Sequence, residues 1–291
     1  MCIISKGVTK MKRLLSIQDI SCFGKCSQTA ALPIISALGI ETVLLPTAVL
    51  STHTGGSFCG YSFLSMKDEM KKITEHWKKL GISFDAIYAG YIGTTEQVYD
   101  IINLIEDFSG DNTIVYIDPA MADDGKLYSG LSREYVSAIK ELCSVADIIS
   151  PNISEATLLT GYDYNNDYSE ETAQILLEKL SKISDKAIIT GIHQNNKILT
   201  IGKDSKSNKI IKKLNNKIDG MFYGTGDVFA STFIGTYLNG LSFDDAIEFA
   251  ENFVQECITA TLPEREKYWY GINYEKCLGV LTDFYRGIKT V

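Results

Sequence analysis

Ile114-Val115-Tyr116-Ile117-Asp118-Pro119 is four apolar residues in unbroken succession, then a carboxylate, then a proline. A strand wetted on one face alternates apolar with polar residues. A strand without alternation is covered on both faces, as in a parallel sheet between helical layers. The proline turns the chain away and leaves Asp118 at the strand's end. The same signature recurs at Leu14-Leu15-Ser16-Ile17, Thr42-Val43-Leu44-Leu45, Ala86-Ile87-Tyr88-Ala89, Ile148-Ile149 and Ala187-Ile188-Ile189-Thr190. Helical periodicity lies between and after these runs, predicting helices over 27–39, 66–80, 95–108, 131–143, 170–183, 227–239, 244–260 and 273–287. Ser242 or Asp244 is the expected cap of the helix over 244–260. Residues 197–201 and 209–213 predict a hairpin around the polar turn Lys203-Asp204-Ser205-Lys206-Ser207, and 263–270 reads as a loop. The expected fold is α/β, a three-layer α/β/α sandwich with a mostly parallel central sheet.

In such sheets ligands bind beyond the carboxyl ends of the strands. Gln18-Asp19, residues 47–56, Gly90-Tyr91, Asp118, Asn152 with Glu155, and Thr190-Gly191 each follow or end a predicted strand, so they converge on one site.

Phe222-Tyr223-Gly224-Thr225-Gly226-Asp227-Val228-Phe229-Ala230-Ser231 places two glycines, a hydroxyl and a carboxylate directly before an apolar helical pattern. Glycines let the backbone approach an anion and expose its N–H groups, and the helix dipole favours negative charge there. A carboxylate beside such a hole serves a proton rather than the anion. One reading is therefore a kinase that deprotonates an alcohol next to a bound triphosphate. The other is structural: Asp227 as an N-cap and the glycines as a tight turn.

The remaining polar residues carry paired readings too. Asp118 can hold a hydrated Mg²⁺ or sit in a turn. Asn152 and Glu155, three apart at a helix start, can serve Mg²⁺ and phosphate, and also have the form of a capping box. Ser51-Thr52-His53-Thr54-Gly55-Gly56 can line a polar pocket or be a plain loop. His76 falls on a charged helix and His193 in a polar segment; with three histidines in all and no ligand spacing, zinc is not expected. Gly24-Lys25 lacks the context of a phosphate-binding P-loop.

The chain has 291 residues, 45% hydrophobic and 22% charged, without a low-complexity linker, which favours one domain over 13–291 after a tail over 1–12. The net charge of −8 without a basic patch argues against nucleic acid and, under the kinase reading, calls for a cation, Mg²⁺, between protein and nucleotide. Seven scattered cysteines do not form a disulfide framework; Cys22 and Cys26 lack a second pair with zinc spacing. No run approaches the ~18 apolar residues of a membrane span, and a cytoplasmic location is expected.

In this order the motifs resemble the ribokinase-like superfamily, and within it the pyridoxal kinases, over about residues 13–287. Ser16-Ile17-Gln18-Asp19 through Gly24, Ala31-Leu32-Pro33 and Pro46 through Thr54 look like the family's substrate region, and Gly90-Tyr91-Ile92-Gly93 like its Gly-Tyr-x-Gly segment. Asp118-Pro119, Asn152-x-x-Glu155 and Gly224-Thr225-Gly226-Asp227 match its magnesium and phosphate elements. The resemblance implies ATP-dependent phosphorylation of the primary alcohol of pyridoxal, pyridoxine or pyridoxamine. Asp227 would be general base, and the backbone of Gly224, Thr225 and Gly226 would stabilise the transferred group. Asp118 and Glu155 would organise Mg²⁺ through water, with Asn152 and Thr190 at ATP. Asp19, Thr54 and Tyr91 would hold the pyridine ring. It further implies a homodimer, a cytoplasmic enzyme of vitamin B6 salvage, and a monovalent cation. Asp19 departs from the serine that many pyridoxal kinases carry and is shared with hydroxymethylpyrimidine kinases of thiamine synthesis. Those typically have cysteine where Asp227 stands. Hydroxymethylpyrimidine kinase and a non-catalytic B6-binding protein are the alternatives.

Overall fold

The structure, a computed structural model, describes residues 11–55, 58–164, 168–207 and 209–289. Gly56 and most of the expected N-terminal tail lie outside the described residues.

The unbroken apolar runs build the middle of the sheet. Its strands are β1 (Arg13–Phe23), β2 (Glu41–Thr52), β3 (Phe63–Ser65), β4 (Ala86–Ala89), β5 (Ile114–Ile117), β8 (Ile148–Ile149), β9 (Lys186–Gln194), β10 (Lys197–Asp204) and β11 (Lys209–Asn216); β6 (Ala122–Asp123) and β7 (Lys126–Leu127) form a separate small hairpin. The order is β11-β10-β9-β8-β5-β4-β1-β2-β3. The six strands from β9 to β2 pair in parallel, and β10 with β11 at one end and β3 at the other are antiparallel.

Successive side chains point to opposite faces, and both faces are dry. Leu14, Ala86, Tyr88, Tyr116, Ile148 and Ile188 enter one core, with α1 (Gln28–Ala37), α7 (Thr225–Leu238), α8 (Phe243–Thr261) and α9 (Leu278–Lys289). Leu15, Ile17, Ile87, Ala89, Val115, Ile117 and Ile149 enter the other, with α2 (Lys67–Leu80), α3 (Thr95–Phe108), α4 (Arg133–Ser144), α5 (Ile153–Thr160) and α6 (Glu170–Leu180). This is the expected three-layer sandwich, and two-sided burial is why its strands do not alternate.

Local rules place the helix ends. Ser242 caps α8 by accepting the Asp245 N–H, and Gly161 ends α5 in the left-handed conformation. Pro33 stands inside α1, where it cannot donate to the Thr29 carbonyl one turn back. The Tyr274 hydroxyl donates to that carbonyl instead, at 2.7 Å.

Three expectations need correction. β1 and β2 run well past their apolar runs, so Gln18, Asp19 and residues 47–52 lie within strands rather than after them. A register shift at Gln18/Ile20 leaves Asp19 without a partner on β2. Thr190 likewise lies inside β9, where Gly191 at φ 69° forms a bulge against β10. The helix expected over 273–287 begins only at Leu278, after a short 3-10 turn over Tyr274–Lys276. β3 and the β6–β7 hairpin were not visible in the sequence, being too short for a periodicity.

Candidate active site

The carboxyl ends of β1, β4, β5 and β8 open toward the first turn of α7, and four carboxylates meet there in a chain. Asp19 acts on Asp227, Asp227 acts on Asp118, and Glu155 acts on Asp118.

Gly224 precedes α7 at φ 82°. A Cβ there would stand 2.0 Å from the Lys25 carbonyl oxygen, so glycine is required by both conformation and space. Gly226 is different: a Cβ there would meet nothing within 4 Å. Packing does not demand that glycine, and the open space at a helix N-terminus is what an anion would fill. Thr225 donates its hydroxyl to the Phe222 carbonyl at 3.3 Å, closing the turn. Asp227 falls inside α7 rather than capping it, since the cap position is Gly224. Burial pushes the Asp227 carboxyl up to about 7; the Ser27 backbone amide, hydrogen-bonded to it, acts in the opposite sense.

On the other flank Glu155 is almost wholly buried. Its Oε1 accepts the Met121 amide at 3.0 Å and its Oε2 the Asn152 amide at 2.8 Å, while Asn152 Oδ1 accepts the Glu155 amide at 3.0 Å. The capping box is real, and Asn152 Nδ2 also donates to the Ala122 carbonyl at 2.8 Å. Burial raises both Asp118 and Glu155, and Glu155 raises Asp118 further. Among the described residues no basic side chain pairs with either one. A buried carboxylate, Glu155, and a half-buried one, Asp118, without a basic partner among the described residues are a hard-oxygen donor set that fits Mg²⁺. The Glu155 oxygens already accept three amides, two of them shared on Oε1, which leaves little of the carboxylate for direct coordination and fits a hydrated ion. No three acidic, histidine or cysteine side chains among the described residues could enclose a metal. Thr190 sits beside Asn152 through a single parallel bridge.

The third flank is aromatic. Asp19 is buried, accepts the Ser21 hydroxyl at 2.8 Å and is raised by burial. Tyr91 is half-buried, its hydroxyl pushed up to about 12 by burial and then by Asp19, and the Tyr128 ring lies 6.4 Å away. His53 Nδ1 accepts the Gly55 amide at 3.1 Å, so Nε2 carries the proton and donates to the Tyr270 carbonyl at 2.9 Å. Burial lowers its basicity, against the Tyr270 carbonyl and Asp19, which act in the opposite sense. The His53 ring packs on Phe58 and Tyr223. Thr54 is exposed immediately beyond it.

Asp19, Asp118, Glu155 and Asp227 are thus brought together, with Tyr91 beside Asp19 and Asn152 beside Glu155. Sequence reading missed Ser27, which holds the left-handed φ of 49° beside Asp227, and Tyr128, whose hydroxyl is raised by burial and by Glu155. A serine directly before a helix was visible, but it reads as an ordinary cap. His76 and His193 lie outside this group. Cys22, Cys26, Cys59, Cys143, Cys257 and Cys277 are free, and no helix among the described residues is long and apolar enough to cross a membrane.

Comparison with known proteins gives a consistent picture. A family model described as phosphomethylpyrimidine kinase matches residues 30–269. The chain is 28% identical over 260 residues to the pyridoxal kinase PdxY of Actinobacillus pleuropneumoniae, covering 86% of this chain and 90% of that protein. Its fold superposes with a TM-score of 0.89 on a candidate phosphomethylpyrimidine kinase of Bacteroides thetaiotaomicron crystallised with pyridoxal; the two are 34% identical, over 94% of this chain and 96% of that one. Pyridoxal kinase from Lactobacillus plantarum follows, with a TM-score of 0.87 and 25% identity over 94% of this chain and 97% of that one.

Proposed function

The chain belongs to the phosphomethylpyrimidine kinase family, and on that premise we propose that it transfers the terminal phosphoryl group of ATP to the primary alcohol of a B6 vitamer. The observation that carries this is the place of Asp227: it stands at the open glycine turn, between Asp19 on the aromatic flank and Asp118 on the carboxylate flank. A base in that position faces an alcohol on one side and a phosphoryl group on the other. The relatives named as pyridoxal kinases, and the Bacteroides structure with pyridoxal, support the same substrate class.

Asp227, with a pKa near 7, takes the hydroxyl proton as the oxygen attacks. Backbone N–H groups from Gly224 to Asp227 face the charge that develops on the transferred group. Asp118 and Glu155 would hold Mg²⁺ through water, and Asn152 and Thr190 would lie beside the nucleotide. The cation, when bound, neutralises the phosphate oxygens and helps align them. Asp19 and Tyr91 orient the pyridine ring, Asp19 by pairing with a ring nitrogen or amine and Tyr91 by stacking; Thr54 lies at the pocket's rim. The resemblance also supports a cytoplasmic homodimer and a monovalent cation.

A second reading, phosphorylation of hydroxymethylpyrimidine, is favoured by Asp19 itself. One assay separates the two. With ATP and Mg²⁺ present, pyridoxal, pyridoxine, pyridoxamine and hydroxymethylpyrimidine are offered separately and ADP release is followed. We expect the highest kcat/KM with a B6 vitamer. Release with hydroxymethylpyrimidine alone overturns that assignment, and release with none points to a binding protein.

A further inference from the structure

Lys25 is wedged between two glycines from distant parts of the chain. Its carbonyl oxygen would lie 2.0 Å from a Cβ on Gly224, and its own stem 2.5 Å from a Cβ on Gly271. The side chain is 10% exposed. Its ammonium donates to Asn273 Oδ1 at 2.6 Å and to Glu275 Oε2 at 2.7 Å, and lies 4.8 Å from the centre of the Tyr268 ring. Every one of these partners belongs to the segment between α8 and α9. That segment is tied to the glycine turn again by the Ile272 amide, which donates to the Tyr223 carbonyl at 3.2 Å. Its Tyr270 carbonyl accepts the His53 ring proton, and its Tyr270 ring packs 4.6 Å from Phe23.

We infer that Lys25 is a positioning residue that clamps the Gly224 turn to the 268–275 segment, so that the anion-binding turn and the aromatic wall of the substrate pocket are held as one unit. The role of that wall rests on the B6 kinase reading; the clamp itself does not. A buried ammonium needs all its partners, and here they all come from one segment. Removing the charge while keeping the stem therefore leaves that segment held to the turn by the Ile272–Tyr223 hydrogen bond, and loosens it without emptying the space between the glycines.

The test uses the full-length protein carrying Lys25→Met, with Gly271→Ala, which presses on the lysine stem from the other side. Trypsin reads the clamp directly, because Arg265 and Lys267 are exposed on the segment. We expect cleavage there to be at least tenfold faster in Lys25→Met. The KM for the preferred alcohol should rise at least tenfold and kcat should fall, while the KM for ATP stays within twofold. Gly271→Ala should move the same quantities in the same direction. If Lys25→Met does not fold, Gly271→Ala and Glu275→Gln supply the same readouts. Cleavage and alcohol KM within twofold of wild type overturn the inference. So do losses in which both KM values change together and follow the melting temperature. If the wild type phosphorylates none of the four alcohols, the kinase reading fails and the trypsin comparison still decides the clamp.

Discussion

Asn152 and Glu155 hold each other reciprocally: the side chain of each accepts the backbone amide of the other, at 3.0 and 2.8 Å. The Glu155 carboxylate therefore belongs both to a structural capping box and to the acidic metal-site candidate it forms with Asp118, and a change at Glu155 touches both roles.

Glu155→Gln should expose that coupling. Glutamine has one acceptor oxygen, and its amide hydrogens would face the Asn152 or the Met121 and Ala122 amides that now donate to Glu155. We expect a lower melting temperature and at least a tenfold higher Mg²⁺ concentration for half-maximal activity. Asn152→Ala should cost about 1 kcal/mol from loss of the cap. A Glu155→Gln protein with wild-type melting and Mg²⁺ dependence would remove both roles.

The two glycines of the turn should respond oppositely to alanine. Gly224→Ala puts a methyl onto the Lys25 carbonyl at a left-handed φ, and should unfold readily in thermal melts. Gly226→Ala meets nothing within 4 Å and has no such φ. It should melt within a few degrees of wild type yet lose most of its kcat/KM, because its methyl enters the space left for the phosphoryl group. Full activity in Gly226→Ala would place the anion elsewhere.

Asp227→Asn should lower turnover by about 10²–10⁴-fold, with little change in the KM of either substrate. In the wild type kcat/KM should climb as pH rises through about 7, when the carboxyl ionises. A pH profile with no limb in that region argues against the base role.

The same shift affects stability, and its sign is fixed. The carboxyl titrates near 7 when folded and at the ordinary 3.8 when unfolded. Between those values the unfolded chain has released a proton that the folded protein still holds, so this group's contribution falls as pH rises through that window. Asp227→Asn removes the slope. It should be more stable than wild type at pH 8 and close to it at pH 4, as measured by urea unfolding. Equal differences at the two pH values would show that the burial penalty is absent.

Much of this protein was legible locally. Ile114–Ile117 and its counterparts announced a doubly covered sheet because period-two geometry makes an all-apolar strand possible only between two dry faces. Capping chemistry acts within four residues, so Ser242 and the Asn152–Glu155 box could be read before any fold was known. The convergence of Asp118, Glu155 and Asp227 followed from their positions at strand and helix ends. The lengths of β1 and β2 were not legible, because their polar second halves are strands only by pairing with each other. Lys25 was set aside, since Gly24-Lys25 has no local meaning without Gly224 and Gly271.

What the sequence by itself determined is the two-sided cover of the sheet, the place of Asp118 at a strand's end and the glycine turn, all of which depend on neighbours within one turn or one pleat. Only the tertiary structure decided the electrostatics: that Asp19 lies buried at a bulge, that Asp227 is desolvated to a pKa near 7, and that Asp118 and Glu155 share a site with no basic side chain paired to either among the described residues. Desolvation and like-charge repulsion depend on distance in space, and these carboxylates are scattered over more than two hundred residues of chain.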